Sequence, residues 1–150
     1  MNAFGGAMFR SHEGNRPQLN VQPYSTPEVA RSFGRWARVF RALAPYRQRL
    51  EREARRTGVP IVRPLWFSDP RLGAVDEAFT LGEDLLAAPA FAPGQARTTV
   101  PLPRGRWQHV WSGRVCAGAR TVTVASPLGE PAVFARPASG LAARIRAAAG

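Results

Sequence analysis

The change of period at Gly58 limits what this chain can fold into more than any other feature of its sequence. Before it, apolar residues fall at Val29, Phe33, Trp36, Phe40 and Leu43, steps of four, three, four and three that put them on one face of a 3.6-residue helix. After it come short β-prone runs: Ile61 to Phe67, Leu85 to Phe91, Thr98 to Leu102, Trp107 to Trp111, Thr121 to Ala125 and Ala132 to Ala135. Pro70, Gly82, Pro93-Gly94, Arg104-Gly105, Gly113 and Gly129 punctuate them. Helices first and strands afterwards make an α+β chain. Six short strands hide one face only against a second layer, so residues 59–139 are expected to form a small all-β sandwich. Val122 and Val124, alternating with Thr121 and Thr123, fit a half-buried strand of it.

The helical half has readable ends. Ser25 with Glu28 three residues on forms a capping box, and Pro27 suits the first turn. Pro45 has no N–H to give, so a break is expected after Ala44; Tyr46, Leu50 and Ala54 then continue the apolar face to a stop at Gly58. The aromatic stripe reads as core, with Arg31, Arg35, Arg38 and Arg41 as its solvated border. Residues 141–150 read as an Ala- and Arg-rich helical tail too short to stand alone.

The net charge of +11 is carried by arginine without a single lysine, which a GC-rich coding bias explains as well as selection does. Nine of these arginines lie between Pro27 and Arg56 against Glu28, Glu51 and Glu53, so a nucleic-acid binder has to be considered. No zinc-finger spacing, no aromatic RNA-reading strand and no arginine run longer than Arg55-Arg56 accompanies the charge; nonspecific contact at low salt is what it implies. Cys116 is the only cysteine and makes no internal disulfide; with His12 and His109 it gives no zinc spacing, and no cofactor motif is present. No run of about 18 apolar residues encodes a membrane span. Nor do the first twenty residues read as a secretory signal, which makes the cytoplasm the expected location.

Chemistry gathers in one segment, Phe9 to Pro17, where Arg10, His12, Glu13, Asn15 and Arg16 crowd between turn residues. Such a loop has donors and acceptors for several hydroxyls, or is simply solvated. Arg10-Ser11-His12 resembles the Arg-x-His loop that closes the sugar pocket in glycoside hydrolase family 31, the retaining α-glucosidases, α-xylosidases and sulfoquinovosidases. Its continuation, Glu13-Gly-Asn-Arg-Pro17, is most similar to the bacterial branch containing sulfoquinovosidases. Leu43-Ala-Pro-Tyr-Arg-Gln-Arg-Leu50 and Glu53-Ala-Arg-Arg-Thr-Gly-Val-Pro-Ile-Val-Arg-Pro-Leu65 resemble the family's Pro-Tyr helix and its Thr-Gly-x-Pro-x-x-Arg-Pro-Leu strand. Asp76 to Pro89, Val100 to Trp107 with Trp111-Ser-Gly113, and Ser126 to Arg136 resemble its proximal C-terminal sandwich, with Ala88, Ala90 and Ala138 replacing larger aliphatics or Gly.

The resemblance implies that residues 1–58 are the last strand-loop-helix step of a (β/α)8 barrel, 59–139 the proximal sandwich and 140–150 a tail. It implies that His12 hydrogen-bonds a glycone hydroxyl and that Arg10 orders the loop. Both catalytic aspartates of the family precede that loop, so no catalytic residue is assigned here. Asp69, Asp76 and Asp84 fall in structural segments, and Glu13 alone cannot perform a double displacement. The chain is expected to be inactive by itself and to need the missing barrel portion, in the same gene product or a separate chain. Without that barrel the face of Phe33, Trp36 and Phe40 is expected to lie uncovered. A rival reading makes the chain a stand-alone carbohydrate-binding module using Trp107 and Trp111. These stand four apart on one strand; His109 is assigned to the opposite side and to the surface.

Overall fold

The computed structural model describes residues 2–11 and 14–150. In chain order it contains α1 (Asn2–Gly5), a single 3₁₀ turn (Pro17–Leu19), α2 (Pro27–Ala42), α3 (Ala44–Thr57), β1 (Val62–Pro64), α4 (Leu65–Ser68) and a second 3₁₀ turn (Pro70–Leu72). Then follow β2 (Phe79–Leu81), β3 (Leu85–Ala88), β4 (Arg97–Leu102), β5 (Arg106–His109), β6 (Val115–Ala117), β7 (Arg120–Ala125), β8 (Ala132–Ala135), a third 3₁₀ turn (Pro137–Ser139) and α5 (Leu141–Ala149).

The helices begin and stop for local reasons. Thr26, not Ser25, caps α2: its hydroxyl accepts from the Val29 N–H at 3.3 Å and Pro27 follows at the first turn. The Ser25 hydroxyl accepts from the Gln22 N–H instead, and Glu28 pairs with Arg31 at 2.9 Å. Leu43 both ends α2 and opens α3, one residue before the break expected at Pro45. Gly58 closes α3 in the left-handed region with φ 74°, its N–H donating to the Ala54 carbonyl.

Six strands pair antiparallel in the order β1-β2-β3-β8-β5-β6, and β4 pairs with β7 in a separate ribbon. The centre of the larger sheet is the pair β3 and β8, in register from Leu85 opposite Ala135 to Ala88 opposite Ala132. All eight residues of these two strands are buried, because both faces are covered. That is why Leu-Leu-Ala-Ala and Ala-Val-Phe-Ala are unbroken apolar runs without polar alternation. On one face Leu85, Ala87, Val133 and Ala135 meet Val39, Leu43, Tyr46, Leu50 and Ile145 of α2, α3 and α5. On the other, Leu86, Ala88, Ala132 and Phe134 share a cluster with Trp107 and with Val100, Leu102 and Val124 of the ribbon. The molecule is therefore layered as helices, sheet and ribbon, and burying a Leu or Phe on either side contributes roughly 1.5–3 kcal/mol.

Three sequence expectations change. α5 is part of the core: Leu141, Ala142, Ile145 and Ala149 are buried in the helical cluster, and Arg38 reaches across α2 to the Ala148 carbonyl at 3.1 Å. Phe33, Trp36 and Phe40 are half-buried, since Phe9 stacks on Phe33 and Phe40 at 4.9 and 5.7 Å while Phe4 meets Trp36 edge-on at 5.7 Å. The run from Ile61 to Phe67 divides, because the chain turns helical at Leu65, and the three-residue strands β2 and β6 join the sheet beside the runs the sequence offered.

Candidate substrate-side loop

The segment before α2 is held at both ends. Phe4, fully buried, plugs α1 onto Trp36, and Phe9 inserts between Phe33 and Phe40. Arg47 fastens α1 from α3, donating to the Ala3 carbonyl at 2.5 Å, the Phe4 carbonyl at 3.4 Å and the Phe40 carbonyl at 2.9 Å while its guanidinium lies 4.2 Å from the Phe40 ring centre. At the far end Gly14 and Asn20 exchange hydrogen bonds of 3.2 and 3.4 Å, and Ser25 ties back to Gln22. An aromatic pin and a capped helix thus fix where the chain enters and leaves the loop.

Arg10 follows the Phe9 pin directly and is exposed, with no ion pair among the described residues. Ser11, Gly14, Asn15 and Arg16 are exposed as well. His12 and Glu13 lie outside the described residues. Arg47 was not legible as an anchor, because nine arginines between Pro27 and Arg56 look alike in the sequence.

The rival aromatic site does not assemble. Trp107 is 1 % exposed, its indole N–H donates to the Pro103 carbonyl at 2.8 Å, and Arg136 covers its ring at 3.9 Å. Trp111 lies in the turn beyond β5 and faces the helices, edge-on to Trp36 at 6.2 Å. The two tryptophans serve different clusters and offer no shared platform for a sugar. His109 is not at the surface: two positions along a strand return to the same face, so it is buried beside Trp107 and stacks on Phe134 at 5.2 Å. Its Nδ1 lies 2.9 Å from the Ser112 hydroxyl, its Nε2 meets no partner among the described residues, and burial pushes its pKa below the usual histidine value.

Two of the aspartates serve the fold rather than a site. Asp69 is buried, caps the turn Pro70–Leu72 and grips Arg71 through both oxygens at 2.8 and 2.6 Å; that hydrogen-bonded guanidinium holds its carboxyl well below the usual range. Asp84, in the β2–β3 turn, pairs with Arg49 at 2.5 Å, and its N–H donates to the Tyr46 hydroxyl at 3.1 Å. That hydroxyl donates in turn to the Leu81 carbonyl at 2.8 Å, and burial pushes the phenol up to about 12. Among the described residues no group of three or more His, Cys, Asp or Glu side chains is placed to hold a metal.

Comparison with known proteins decides the family. The model of the glycosyl hydrolase family 31 C-terminal domain matches residues 58–139. The chain belongs to glycoside hydrolase family 31. It is 44% identical over 140 residues to the sulfoquinovosidase of Agrobacterium fabrum and 37% identical over 139 residues to that of Escherichia coli, each match covering 91% of this chain. The α-glucosidase of Hordeum vulgare is 40% identical over 102 residues, 65% of the chain. Among solved structures, a family 31 sulfoquinovosidase from E. rectale with an aza-sugar inhibitor superposes with a TM-score of 0.79 at 32% identity over 93% of this chain and 21% of its own. An α-xylosidase from a soil metagenome, complexed with xylose, gives a TM-score of 0.75 at 27% identity over 81% of this chain and 18% of its own. The family 31 chain described here spans 21% and 20% of the two sulfoquinovosidases, about a fifth of the relatives it matches.

Proposed function

We propose that this chain is the C-terminal portion of a retaining α-glycosidase of the sulfoquinovosidase type, working with a barrel portion that carries the reacting carboxylates. One observation carries the reading: the match to the Agrobacterium sulfoquinovosidase runs through 91% of this chain but only 21% of that enzyme. In this reading residues 1–58 are the closing loop-and-helix step of the (β/α)8 barrel, and 59–139 are the sandwich that follows. Among the described residues no strand precedes α2, and α1 stands where the strand was expected. Exposed apolar side chains between residues 8 and 24 support it: Met8, Leu19, Val21 and Tyr24 are 63 to 81% exposed, as side chains are when their neighbour is missing.

Retaining cleavage needs a nucleophile and an acid/base about 5–5.5 Å apart. Asp69 and Asp84 are committed to Arg71 and Arg49, and in this reading both reacting carboxylates belong to the barrel portion. The work of this chain is to close the pocket around an α-glycoside, with His12 bonding a glycone hydroxyl and Arg10 ordering the loop. The test joins this chain to the Agrobacterium sulfoquinovosidase trimmed of its matching part, and follows nitrophenol release from nitrophenyl α-sulfoquinovoside and α-glucoside. The chain alone should give no turnover and the joined enzyme should turn over the sulfoquinovoside. His12→Ala in the joined enzyme should lower kcat/KM by roughly ten- to a hundredfold, the loss of one transition-state hydrogen bond, without changing Tm. Turnover by the chain alone, or a folded but inactive joined enzyme, overturns the reading.

A further inference from the structure

Between Trp36 and the loops of residues 89–96 and 126–131 lies a cleft of about 610 Å³, walled by Pro89, Pro93, Pro127, Leu128 and Pro131. It is a standing feature of the fold. Gln95 staples the first loop, accepting from the Phe91 and Ala92 N–H groups at 3.0 and 3.2 Å and donating to the Arg97 carbonyl and the Thr98 hydroxyl, both at 3.0 Å. Thr98 bonds Ser126 at 2.6 Å, which ties the two loops together, and the Trp111 indole holds the Pro131 carbonyl at 2.7 Å. Proline walls and stapled loops lose little freedom on binding, and they keep Leu128 fully exposed and Phe91 64% exposed.

Arg35 stands beside the cleft, next to its lining residues Trp36 and Gly129. Its guanidinium lies 5.2 Å from the Trp36 ring centre and 5.4 Å from that of Trp111, and its Nη1 is 3.5 Å from where a Cβ on Gly129 would sit. It forms no hydrogen bond and no ion pair among the described residues, and its Nε is buried without an acceptor. A cation shielded by two aromatic faces and left without an anion is an incomplete arrangement. What completes it is a carboxylate flanked by an aliphatic or aromatic side chain that fills the apolar cleft. A second copy of this chain is the less favoured source, since 21 basic against 10 acidic residues make two copies repel at low salt.

We propose that this cleft docks an acidic, apolar-flanked polypeptide segment, its carboxylate on Arg35 and its neighbouring side chain against Leu128 and the prolines. That the segment belongs to the remainder of the glycosidase rests on the function proposed above; the recognition chemistry does not. The probe is the blocked tetrapeptide acetyl-Leu-Glu-Phe-Leu-amide titrated against the isolated chain, read by tryptophan fluorescence because Trp36 and Trp111 flank the carboxylate position. A saturable change is expected, at least fivefold weaker for the peptide with Gln in place of Glu and for the Arg35→Gln chain, with Arg35→Lys retaining part of the binding and Arg31→Gln all of it. Circular dichroism and melting confirm that each variant is folded. No saturable change, equal binding of the Glu and Gln peptides, an indifferent Arg35→Gln chain, or self-association abolished by Leu128→Glu overturns the proposal. Peptide binding that follows this pattern while the joined enzyme stays inactive upholds the cleft and sinks the glycosidase reading; the reverse pattern does the opposite.

Discussion

Replacing Tyr46 with Phe removes one oxygen atom and two hydrogen bonds from the joint between α3 and the β2–β3 turn. The hydroxyl donates to the Leu81 carbonyl at 2.8 Å and accepts from the Asp84 N–H at 3.1 Å, in a side chain only 6% exposed. Tyr46→Phe leaves both main-chain groups without that partner, which costs roughly 1–3 kcal/mol. In a domain of this size that lowers Tm by roughly 4–8 °C at the middle of that range. A second signature follows from protonation. Burial raises the phenol from 10.0 in the unfolded chain to about 12 in the fold, so its contribution is complete below pH 10. As pH rises beyond that, the unfolded chain ionises first and stability drains away until the folded pKa is passed, at up to about 1.4 kcal/mol per pH unit. With no lysine and only two tyrosines, the chain has few other side chains to blur this window. Urea unfolding at neutral pH and at about pH 11 should show a less stable Tyr46→Phe chain with a flatter alkaline fall. Equal neutral stability, or the same alkaline fall in both proteins, refutes the argument.

Acid should act on His109 in the opposite direction. Burial lowers its pKa from 6.5, so below that value the unfolded chain takes the proton first and stability falls with pH. His109→Phe should flatten urea midpoints across the histidine range. Two glycines with left-handed φ separate strain from crowding. Gly82 (φ 57°) has the Leu50 Cδ2 and the Tyr46 hydroxyl 2.5 Å from any added Cβ, whereas Gly94 (φ 73°) has nothing within 4 Å. Gly94→Ala should cost only the backbone term, roughly 1–2 kcal/mol, and Gly82→Ala distinctly more; thermal melts that rank them otherwise refute the packing.

The helix limits were legible because proline and glycine act on the backbone directly, as Pro27, Pro45 and Gly58 do, while the cap slipped by one residue because Ser25 and Thr26 both carry a suitable hydroxyl. β6 left no trace and β2 showed only through the likeness of Asp76 to Pro89 to the family's opening strand pair: three residues cannot show a period, and these strands exist because β1 with β3, and β5, supply their ladders. Val39 is fully buried although it lies off the helical stripe, since α5 and the sheet cover α2 more broadly than one face requires. The loop of Arg10 and His12 was legible as a concentration of polar side chains, and its link to sugar rested on likeness to a family. The cleft beside Arg35 left no signal, because Arg35, residues 89–96 and residues 126–131 are brought together only by the tertiary fold.

The position of β8 has a consequence for how the molecule assembles. β2 with β3, and β5 with β6, are near neighbours in the chain, cheap to close and quick to form. β8 enters between β3 and β5 about fifty residues after β3, as Leu85 opposite Ala135 records. Until it does, Leu86 and Phe134 have no ladder between them, and Leu85 lacks its Ala135 neighbour on the helix side. Both apolar clusters therefore mature in one late, non-local event rather than one after the other. Folding should be paced by the docking of this one strand, and substitutions at Val133 or Phe134 should slow refolding more than equally destabilising ones in the β4–β7 ribbon.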